Sequence, residues 1–404
     1  MRPAIVIFAC VLAGPAIEPL EAGTNENIFE NTNLLRVSIE IPASGVAELR
    51  KYEWKPGNTN RANRPKVLAR VTEGAKTYTN VTVHLKGGYG SFQPIDRMPS
   101  LTLNFDRAAP GQNFHGLTKI SLNNSNQDPT CIHEKLCREL FAAAGVPVPR
   151  SDYAVVTLTG RKLGLYVLTE GYNKKFLSRY FERTEGSLYD GGYLQDIEQP
   201  LELNSGKRQG DYSALQRLSV ALREGDPAKR FQSLEKWVDL DRFISMVAME
   251  VMLCHWDSYS MNRNNYRVYH DPKTDKLVFM PHGMDQVLGI DRDNLDLSVT
   301  PTMVGMVAKA LMSTPEGRRR YLERFERLFT ELFRSERLTR RVHEIDSKIA
   351  PELQQPEKRW TLRSKNPKAF IKTSGDHATD TEELCQRIST RAENISKRLS
   401  LLQK

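Results

Sequence analysis

The sequence predicts an α+β protein in which a mainly β first part precedes a larger, mainly helical second part. Short runs that alternate apolar and polar residues dominate up to residue 170, as expected for strands with one buried face. A helical pattern interrupts them at 129–144, and helical patterns dominate from residue 174. With 404 residues and a hydrophobic fraction of 39%, the chain can bury a sizeable core.

Turn-forming residues separate the predicted strands. LLRVSIEIP at 34–42 alternates as a strand should, and KYEWKPGNTNRANRP at 51–65 then reads as a flexible connection. The other runs with strand character lie at 66–72, 80–86, 100–105, 118–123, 153–159 and 163–170. Together they predict an antiparallel sheet.

The helix at 129–144 lies between the predicted strands at 118–123 and 153–159. Ile132, Leu136 and Leu140 share one of its faces, and Gly145 follows where a helix would end. The resulting order of strands, helix and strands resembles the small lobe of a protein kinase.

The second part carries the pattern of a mainly helical lobe. The segment 241–256 is apolar on nearly every side, which predicts a helix buried all round. Charged amphipathic helices are expected from Pro315 onward. Further amphipathic helices, the second with Asp211 as its N-terminal cap, are predicted at 174–181, 212–223 and 231–238.

The first residues read as a secretory signal. One arginine precedes an apolar run from Ala4 to Ile17, and Ala22 is a small residue where a signal peptidase could cut. The run is too short to span a bilayer. Secretion, a periplasmic location or the cell surface is therefore expected, with no membrane span after removal of the signal; a buried first strand, or a lipoprotein site at Cys10, are the alternatives.

Five segments follow from these patterns: a signal peptide at 1–22, an N-terminal strand and flexible segment at 23–65, a kinase-like small lobe at 66–172, a kinase-like large lobe at 173–314, and a C-terminal helical region at 315–404. A monomer is expected.

The charge balance is modestly basic. The formal net charge is +9, from 58 basic and 49 acidic residues. Basic runs at 318–320 and 339–341 would attract an acidic or phosphate-bearing partner, or form a solvated helix surface. No specific nucleic-acid binding is expected.

The cysteines that follow the signal fit neither a zinc site nor a dense disulfide framework. They are Cys131, Cys137, Cys254 and Cys385. Buried free thiols are expected, and one disulfide of unassigned pairing is the alternative.

A glycine-rich turn, GGYGS at 87–91, lies between two predicted strands. Gly87, Gly88 and Gly90 let the backbone turn tightly and approach a ligand closely. A hairpin turn without a ligand explains the same residues.

Two polar clusters follow the buried helix and flank a predicted hairpin. The first, in HWDSYSMNRNNYRVY, contains Asp257 with Asn262, Asn264 and Asn265. The second, in HGMDQVLG, contains His282 and Asp285. Phosphoryl transfer needs one Asp near the acceptor hydroxyl, and an Asp with an Asn to hold magnesium.

Spacing assigns roles within these clusters. Asp257 and Asn262 reproduce the D-x-x-x-x-N of a kinase catalytic loop, and Asn265 abuts the next strand as the metal-binding Asn should. Either Asn could be the metal ligand. Asp285 stands where the metal-binding Asp of a kinase would be, although the tripeptide D-F-G is absent. Turn residues that bond their own backbone are the structural alternative.

The first part supplies candidate nucleotide contacts by the same logic. Lys119 could pair the ATP phosphates and be held by Glu134 on the following helix. Lys86, beside the glycines, is the rival phosphate contact, and Glu139 is the rival partner on the helix. Glu170 ends the strand that would lead to the adenine.

These residues resemble the CotH kinase family between about Val81 and Gly289. The similar segments are LKGGYGS, LTLNFD, FHGLTKISLNNSNQDPT, LGLYVLTEGYNKKFL, GSLYDGG, HWDSYSMNRNNYRVY and FMPHGMDQVLG. The resemblance implies an atypical kinase fold, ATP with Mg or Mn, Asp257 as the catalytic residue, Asp285 as a metal ligand, and extracellular, envelope or surface proteins as substrates.

One departure from the family pattern concerns the second cluster. Many members carry Trp-Asp-x-Asp there, whereas this chain has HGMD and lacks one acid. His282 cannot replace it as a hard ligand.

Three functions therefore remain open. The first is a secreted kinase that phosphorylates Ser, Thr or Tyr. The second is another ATP-dependent modification, either nucleotidyl transfer or amino-acid ligation, and the third is a non-catalytic, pseudokinase-type surface-binding module. No P-loop, H-E-x-x-H or G-x-S-x-G motif occurs in the chain.

Overall fold

The computed structural model describes residues 27–55, 64–206, 212–290, 292, 294–353 and 376–402. The predicted signal at 1–22 and the predicted cap Asp211 lie outside these ranges. The strands are β1 (Leu35–Glu40), β2 (Val67–Glu73), β3 (Lys76–Lys86), β4 (Ser100–Asn104), β5 (Lys119–Asn123), β6 (Ser151–Leu158), β7 (Arg161–Glu170), β8 (Leu188–Asp190), β9 (Glu202–Ser205), β10 (Tyr266–Asp271) and β11 (Lys276–Pro281).

Helices alternate with these strands and occupy most of the second half. They are α1 (Ala43–Arg50), α2 (His133–Ala143), α3 (Lys174–Leu177), α4 (Ser213–Ala221), α5 (Pro227–Trp237), α6 (Leu240–Met252), α7 (Tyr259–Asn262), α8 (Met306–Met312), α9 (Pro315–Leu332), α10 (Ser335–Leu353) and α11 (His377–Leu402). The α+β class is confirmed. No described helix is long and apolar enough to cross a membrane.

The first seven strands close into a barrel in the order β1-β2-β3-β4-β5-β7-β6. Closure depends on β1, which pairs antiparallel with β2 and parallel with β6. The sequence predicts the strands but not the barrel, and it assigns β1 to a separate segment at 23–65. Alternation reports which side chains are buried and carries no information about which strand lies next to which.

Alternate residues of the barrel strands point into its own hydrophobic core. Val83 of β3, Leu101 of β4 and Leu122 of β5 are fully buried there, or nearly so. The residues between them, including His84 and Lys86, therefore lie on the outer face.

A second sheet, of order β11-β10-β8-β9, carries the predicted hairpin. The register from Tyr266↔Pro281 to Asp271↔Lys276 makes Asn265 and His282 neighbours at the open end of the hairpin. The His282 N–H donates to the Asn265 carbonyl at 2.7 Å. The hairpin thus holds the two polar clusters side by side.

The largest hydrophobic cluster surrounds α6, and every residue from Phe243 to Met252 in that helix is buried. The predicted helix at 241–256 ends earlier, because Cys254 has a φ of 52°, which a helix does not permit. The same cluster includes α2 and the outer side chains of β6 and β7. The arrangement as two kinase-like lobes stays a prediction.

Helix α10 forms ion pairs with the barrel and with α2. Lys348 of α10 forms an ion pair with Asp152 at 2.8 Å, and Arg341 pairs with Glu139 of α2 at 2.8 Å. The basic run on α9 is largely neutralised by nearby glutamates, since Arg319 and Arg320 both pair with Glu316. The four cysteines at 131, 137, 254 and 385 are buried and free, as predicted.

Candidate functional site

Asp257 lies in the loop after α6, and three asparagine side chains bond its carboxylate. Asn262 Nδ2 donates to Oδ1 at 2.6 Å, while Asn264 and Asn265 donate to Oδ2 at 2.9 and 2.8 Å. Burial raises the pKa of Asp257 above its usual value, although the three amides and Arg292 oppose that shift. The carboxylate is therefore held in one orientation by donors that favour its ionised form.

Strained backbone accompanies this loop. Arg263 and Asn265 both adopt the left-handed conformation, with φ of 53° and 50°. Such conformations cost of order 1–3 kcal/mol and persist where surrounding contacts enforce them. Asn265 has those contacts, because its Nδ2 also donates to the Asp257 carbonyl at 3.0 Å.

Asp285 lies in the loop after β11, partly shielded from solvent. Burial and the nearby carboxylates of Glu134, Asp128 and Asp257 raise the pKa of Asp285 to about 7. The hydrogen bond from its own backbone N–H opposes this shift. Such a concentration of hard oxygen ligands and like charge fits a divalent cation of the magnesium type.

Glu134 of α2 bonds the loop that carries Asp285. Its Oε2 accepts from the Met284 N–H at 3.0 Å, and its Oε1 accepts from Nε of Arg138 at 2.9 Å. Both side chains are almost fully buried. The Arg138 cation and the Met284 amide, with the charge of Lys86, lower the pKa of Glu134 against its burial. Glu134 therefore fixes the backbone immediately before Asp285.

Lys119 and Glu134 bond other partners in the described structure, and a nucleotide-contacting role for Lys119 stays a prediction. Lys119 Nζ donates to the Tyr172 carbonyl at 2.8 Å, whereas Arg138, four residues after Glu134 on the same helix, takes the place of the lysine. The rival Lys86 lies closer to the predicted role, because its charge acts on Glu134 and its amine bonds Asn123.

The two remaining acidic candidates are bonded elsewhere. Glu139 forms ion pairs with Arg341 and Lys135, so its carboxylate joins α2 to α10. Glu170 is buried at the end of β7, where Arg179 contacts its carboxylate at 2.7 Å and Arg150 at 3.3 Å. Its backbone N–H is also used, since it donates to the Arg150 carbonyl at 2.9 Å.

The glycine-rich turn needs glycine for its own geometry. Gly87 has a φ of 102°, and a Cβ there would lie 2.9 Å from the Phe92 backbone. Gly90 has a φ of 76°, while Gly88 lies against the Trp54 ring. Arg64 closes the base of the turn by donating to the Gly87 carbonyl at 2.9 Å.

The outer face of the barrel next to this turn is strongly positive. Burial, followed by the charges of Arg64, Lys119, Lys66 and Lys86, lowers the pKa of His84 to about 3. The charge of Lys86 reaches both His84 and Glu134. A basic face on the barrel therefore borders an acidic cluster on the loops, which suits a phosphate ligand with its cation.

Gly283 occupies the position where the family pattern has its additional Asp. Its φ is 58°, and a Cβ there would lie 2.5 Å from Oδ1 of Asn265. The local packing therefore matches the absence of an acid at this position, because the Asn265 side chain fills the space that a side chain at Gly283 would need.

Two positioning residues escape sequence reasoning. His255 is fully buried before Asp257, and burial lowers its pKa to about 4, although its interaction with the Gly283 backbone opposes the shift. Arg391 of α11 is fully buried and donates to the carbonyls of Val251 and Met252 at the end of α6. No local sequence pattern marks Arg391, since these two acceptors lie about 140 residues away along the chain. The i, i+4 spacing of Glu134 and Arg138, by contrast, is a sequence signal that predicts an ion pair on one helix face.

The comparisons with known proteins concern the region that holds both loops. A family model described as CotH kinase protein matches residues 84–395, which is well over half of the chain. The chain belongs to the CotH kinase protein family. The predicted resemblance is confirmed, and the roles of the individual site residues stay predictions.

CotH relatives come from a fungus and a bacterium. Invasin CotH2 of Rhizopus delemar is 25% identical over 264 residues, covering 58% of this chain and 44% of the relative. Inner spore coat protein H of Bacillus subtilis is 22% identical over 306 residues, covering 72% of this chain and 80% of the relative. The chain thus spans less than half the length of the invasin.

Two solved structures show weaker likeness. The Helicobacter pylori proinflammatory kinase CtkA has a TM-score of 0.35 at 10% identity, covering 74% of this chain and 92% of that one. The toxin–antitoxin complex of HipA, HipB and operator DNA from Shewanella oneidensis gives 0.31 at 11% identity, with coverages of 91% and 73%. No inference about this chain rests on likeness at that level.

Proposed function

We propose that this CotH family member binds ATP with Mg or Mn and transfers the γ-phosphoryl group to a Ser, Thr or Tyr hydroxyl of another protein. The observation that carries the proposal is the joining of Asp257 and Asp285 through Asn265. Asn265 bonds the Asp257 carboxylate and, through its carbonyl, the first residue of the loop that contains Asp285.

Asp257 is the residue proposed to meet the acceptor. Its carboxylate orients the hydroxyl and takes the hydroxyl proton as the oxygen bonds the γ-phosphorus and ADP leaves. The three amides from Asn262, Asn264 and Asn265 favour the ionised carboxylate and hold it in one orientation for this step.

Asp285, with Asn262 or Asn265, is the proposed ligand set for the metal. When bound, a divalent cation neutralises charge on the phosphate oxygens. The raised pKa of Asp285 supports the assignment, because burial and the carboxylates of Glu134, Asp128 and Asp257 disfavour its charge, which a bound cation would offset. The Glu134 bond to Met284 keeps the Asp285 loop in place.

Lys86 is the favoured phosphate contact on the barrel, with Lys119 as the second candidate. Lys86 is the last residue of β3, directly before Gly87, Gly88 and Gly90, so the cation and the turn lie at the same end of this strand. The adenine is proposed to lie near Glu170, at the end of β7.

The location is proposed to be outside the cytoplasm, with an extracellular or envelope protein as substrate. The support is the predicted signal together with the names of the relatives, one an invasin and one an inner spore coat protein. The protein is proposed to act as a monomer, without a specific nucleic-acid partner.

The test is label transfer from ATP to candidate acceptor proteins with Mg or Mn. Asp257→Ala and Asp285→Ala should abolish transfer from the γ-phosphate, whereas Asp275→Asn, in the exposed turn of the β10–β11 hairpin, should leave it intact. Absence of transfer with every metal and acceptor would refute the kinase proposal. Label from the α-phosphate would instead assign nucleotidyl transfer, and AMP release coupled to an amide product would assign amino-acid ligation.

A non-catalytic binding module is the second candidate, and Gly283 is the observation that favours it. The side chain of Asn265 occupies the place of an additional acid, so the metal set has one carboxylate fewer than the family pattern. ATP-dependent thermal stabilisation without any transfer would support this second function.

A further inference from the structure

Helices α10 and α11 bring one histidine, one glutamate and one cysteine together, outside the site described above. His343 lies on α10, while Glu382 and Cys385 lie three residues apart on α11, so the last two share a helix face. Their ligand atoms all lie within 4.8 Å of one another. Nε2 of His343 is 3.8 Å from the Cys385 sulfur, and its Nδ1 is 3.9 Å from Oε1 of Glu382.

The 3.8 Å between Nε2 of His343 and the Cys385 sulfur is close to the separation of two ligands of one metal ion. Tetrahedral zinc, with bonds of about 2.3 Å to sulfur and about 2.0 Å to nitrogen, separates two such ligands by about 3.6 Å. The buried Cys385 gives the site a fixed anchor. His343 and Glu382 are 52% and 70% exposed, so both side chains can turn toward a shared ion.

We infer that His343, Glu382 and Cys385 bind a zinc-like divalent cation, with water in the fourth position, and that the ion fastens α11 to α10. A thiolate with an imidazole selects zinc or cobalt over magnesium. Binding replaces the thiol proton, which passes to solvent, by the metal–sulfur bond. This ligand chemistry differs from the all-oxygen cluster around Asp285.

Neighbouring residues complete the surroundings of this α10–α11 site. Asp346 lies on α10 three residues after His343, on the same face of that helix. Asp346 is itself held by Nε2 of His377 at 2.6 Å, so it adds charge from a fixed position. A cation would offset this negative charge.

The ion would act on the helix that supports the catalytic loop. Arg391 follows Cys385 on α11 and bonds the carbonyls of Val251 and Met252, just before the loop of Asp257. Fastening α11 to α10 therefore restrains a helix on which the end of α6 depends.

Cobalt is the spectroscopic probe for this site, used with the untagged full-length protein. One equivalent of Co²⁺ should produce a thiolate-to-cobalt charge-transfer band, and Zn²⁺ should displace it while excess Mg²⁺ does not. Cys385→Ser should remove the band, and Glu382→Gln should weaken zinc binding at least tenfold. Glu383→Gln, which alters the adjacent glutamate that pairs with Arg387, is the matched control and should change neither.

Persistence of the charge-transfer band in Cys385→Ser would overturn the assignment, as would wild-type zinc affinity in Glu382→Gln and His343→Gln. The last two substitutions alter exposed side chains, and circular dichroism confirms that they fold. Asp285→Asn should retain the band, so failure of this inference and failure of the proposed phosphotransfer are distinguishable.

Discussion

Arg138→Met tests the energetic role of the Glu134 to Arg138 pair. Both side chains are almost fully buried, with 3% and 6% exposed for Arg138 and Glu134. The substitution leaves the Glu134 carboxylate with the Met284 amide as its remaining hydrogen-bond donor among the described residues. Removing one partner of a buried pair costs about 3–5 kcal/mol, because the other charge stays desolvated.

The pH dependence of that cost follows from Glu134. In the wild type, Arg138 lowers the pKa of Glu134, which adds stability above the pKa of the unfolded chain. Without Arg138, burial and the neighbouring Asp285 raise the pKa instead. Between the two pKa values, the native state of the variant then binds more protons than the unfolded chain, so its free energy of unfolding falls as pH rises. The loss of stability should therefore be larger at pH 8 than at pH 5.

Urea unfolding at both pH values measures the effect. The double substitution Arg138→Met with Glu134→Gln is the matched control, because glutamine keeps an acceptor for the Met284 amide without the charge. It should recover most of the lost stability. A cost below about 1 kcal/mol for Arg138→Met, or no recovery in the double variant, would refute the reasoning.

Three other substitutions test separate features of the site. Burial raises the pKa of Glu250 to about 7, so the free energy of unfolding should fall as pH rises from about 4.5 through 7. Glu250→Gln should therefore remove a cost of about 3 kcal/mol at pH 8 but not at pH 5. Equal shifts of the urea midpoint at both pH values would contradict this. Gly283→Asp should destabilise by about 2 kcal/mol through its left-handed φ and the contact with Asn265; stronger metal-dependent thermal stabilisation in that variant would show the steric argument to be wrong. Arg391→Lys should speed amide exchange in residues 251–257, because one amine cannot serve all the carbonyls that the guanidinium bonds; unchanged exchange by mass spectrometry would mean that Arg391 does not hold the loop.

Local chemistry made much of the fold predictable. Alternation marked every strand of the barrel within a few residues, and the start at Pro315 matches the first residue of α9. The apolar residues on nearly every side of α6 indicated its burial from Phe243 to Met252. The spacing of Asp257, Asn262 and Asp285 around a hairpin indicated the candidate site, because loops flanking a short hairpin lie close together whatever surrounds them.

Other features depended on contacts between distant residues. Closure of the barrel requires β1 to pair with β6, more than a hundred residues later, and residue periodicity reports burial without naming the neighbour. The partner of Glu134 was decided in the same way, because Lys119 is directed to the Tyr172 carbonyl and Arg138 is left to neutralise the acid.

The sequence by itself determined the elements of this protein, its CotH family pattern and the two loops that carry Asp257 and Asp285. The tertiary structure alone decided that three asparagines converge on Asp257, that Asn265 occupies the space beside Gly283, and that α11 supports the end of α6. The physical reason is range: helices, strands and turns are specified by neighbouring residues, whereas burial of charge and close packing depend on chain segments that only folding brings together.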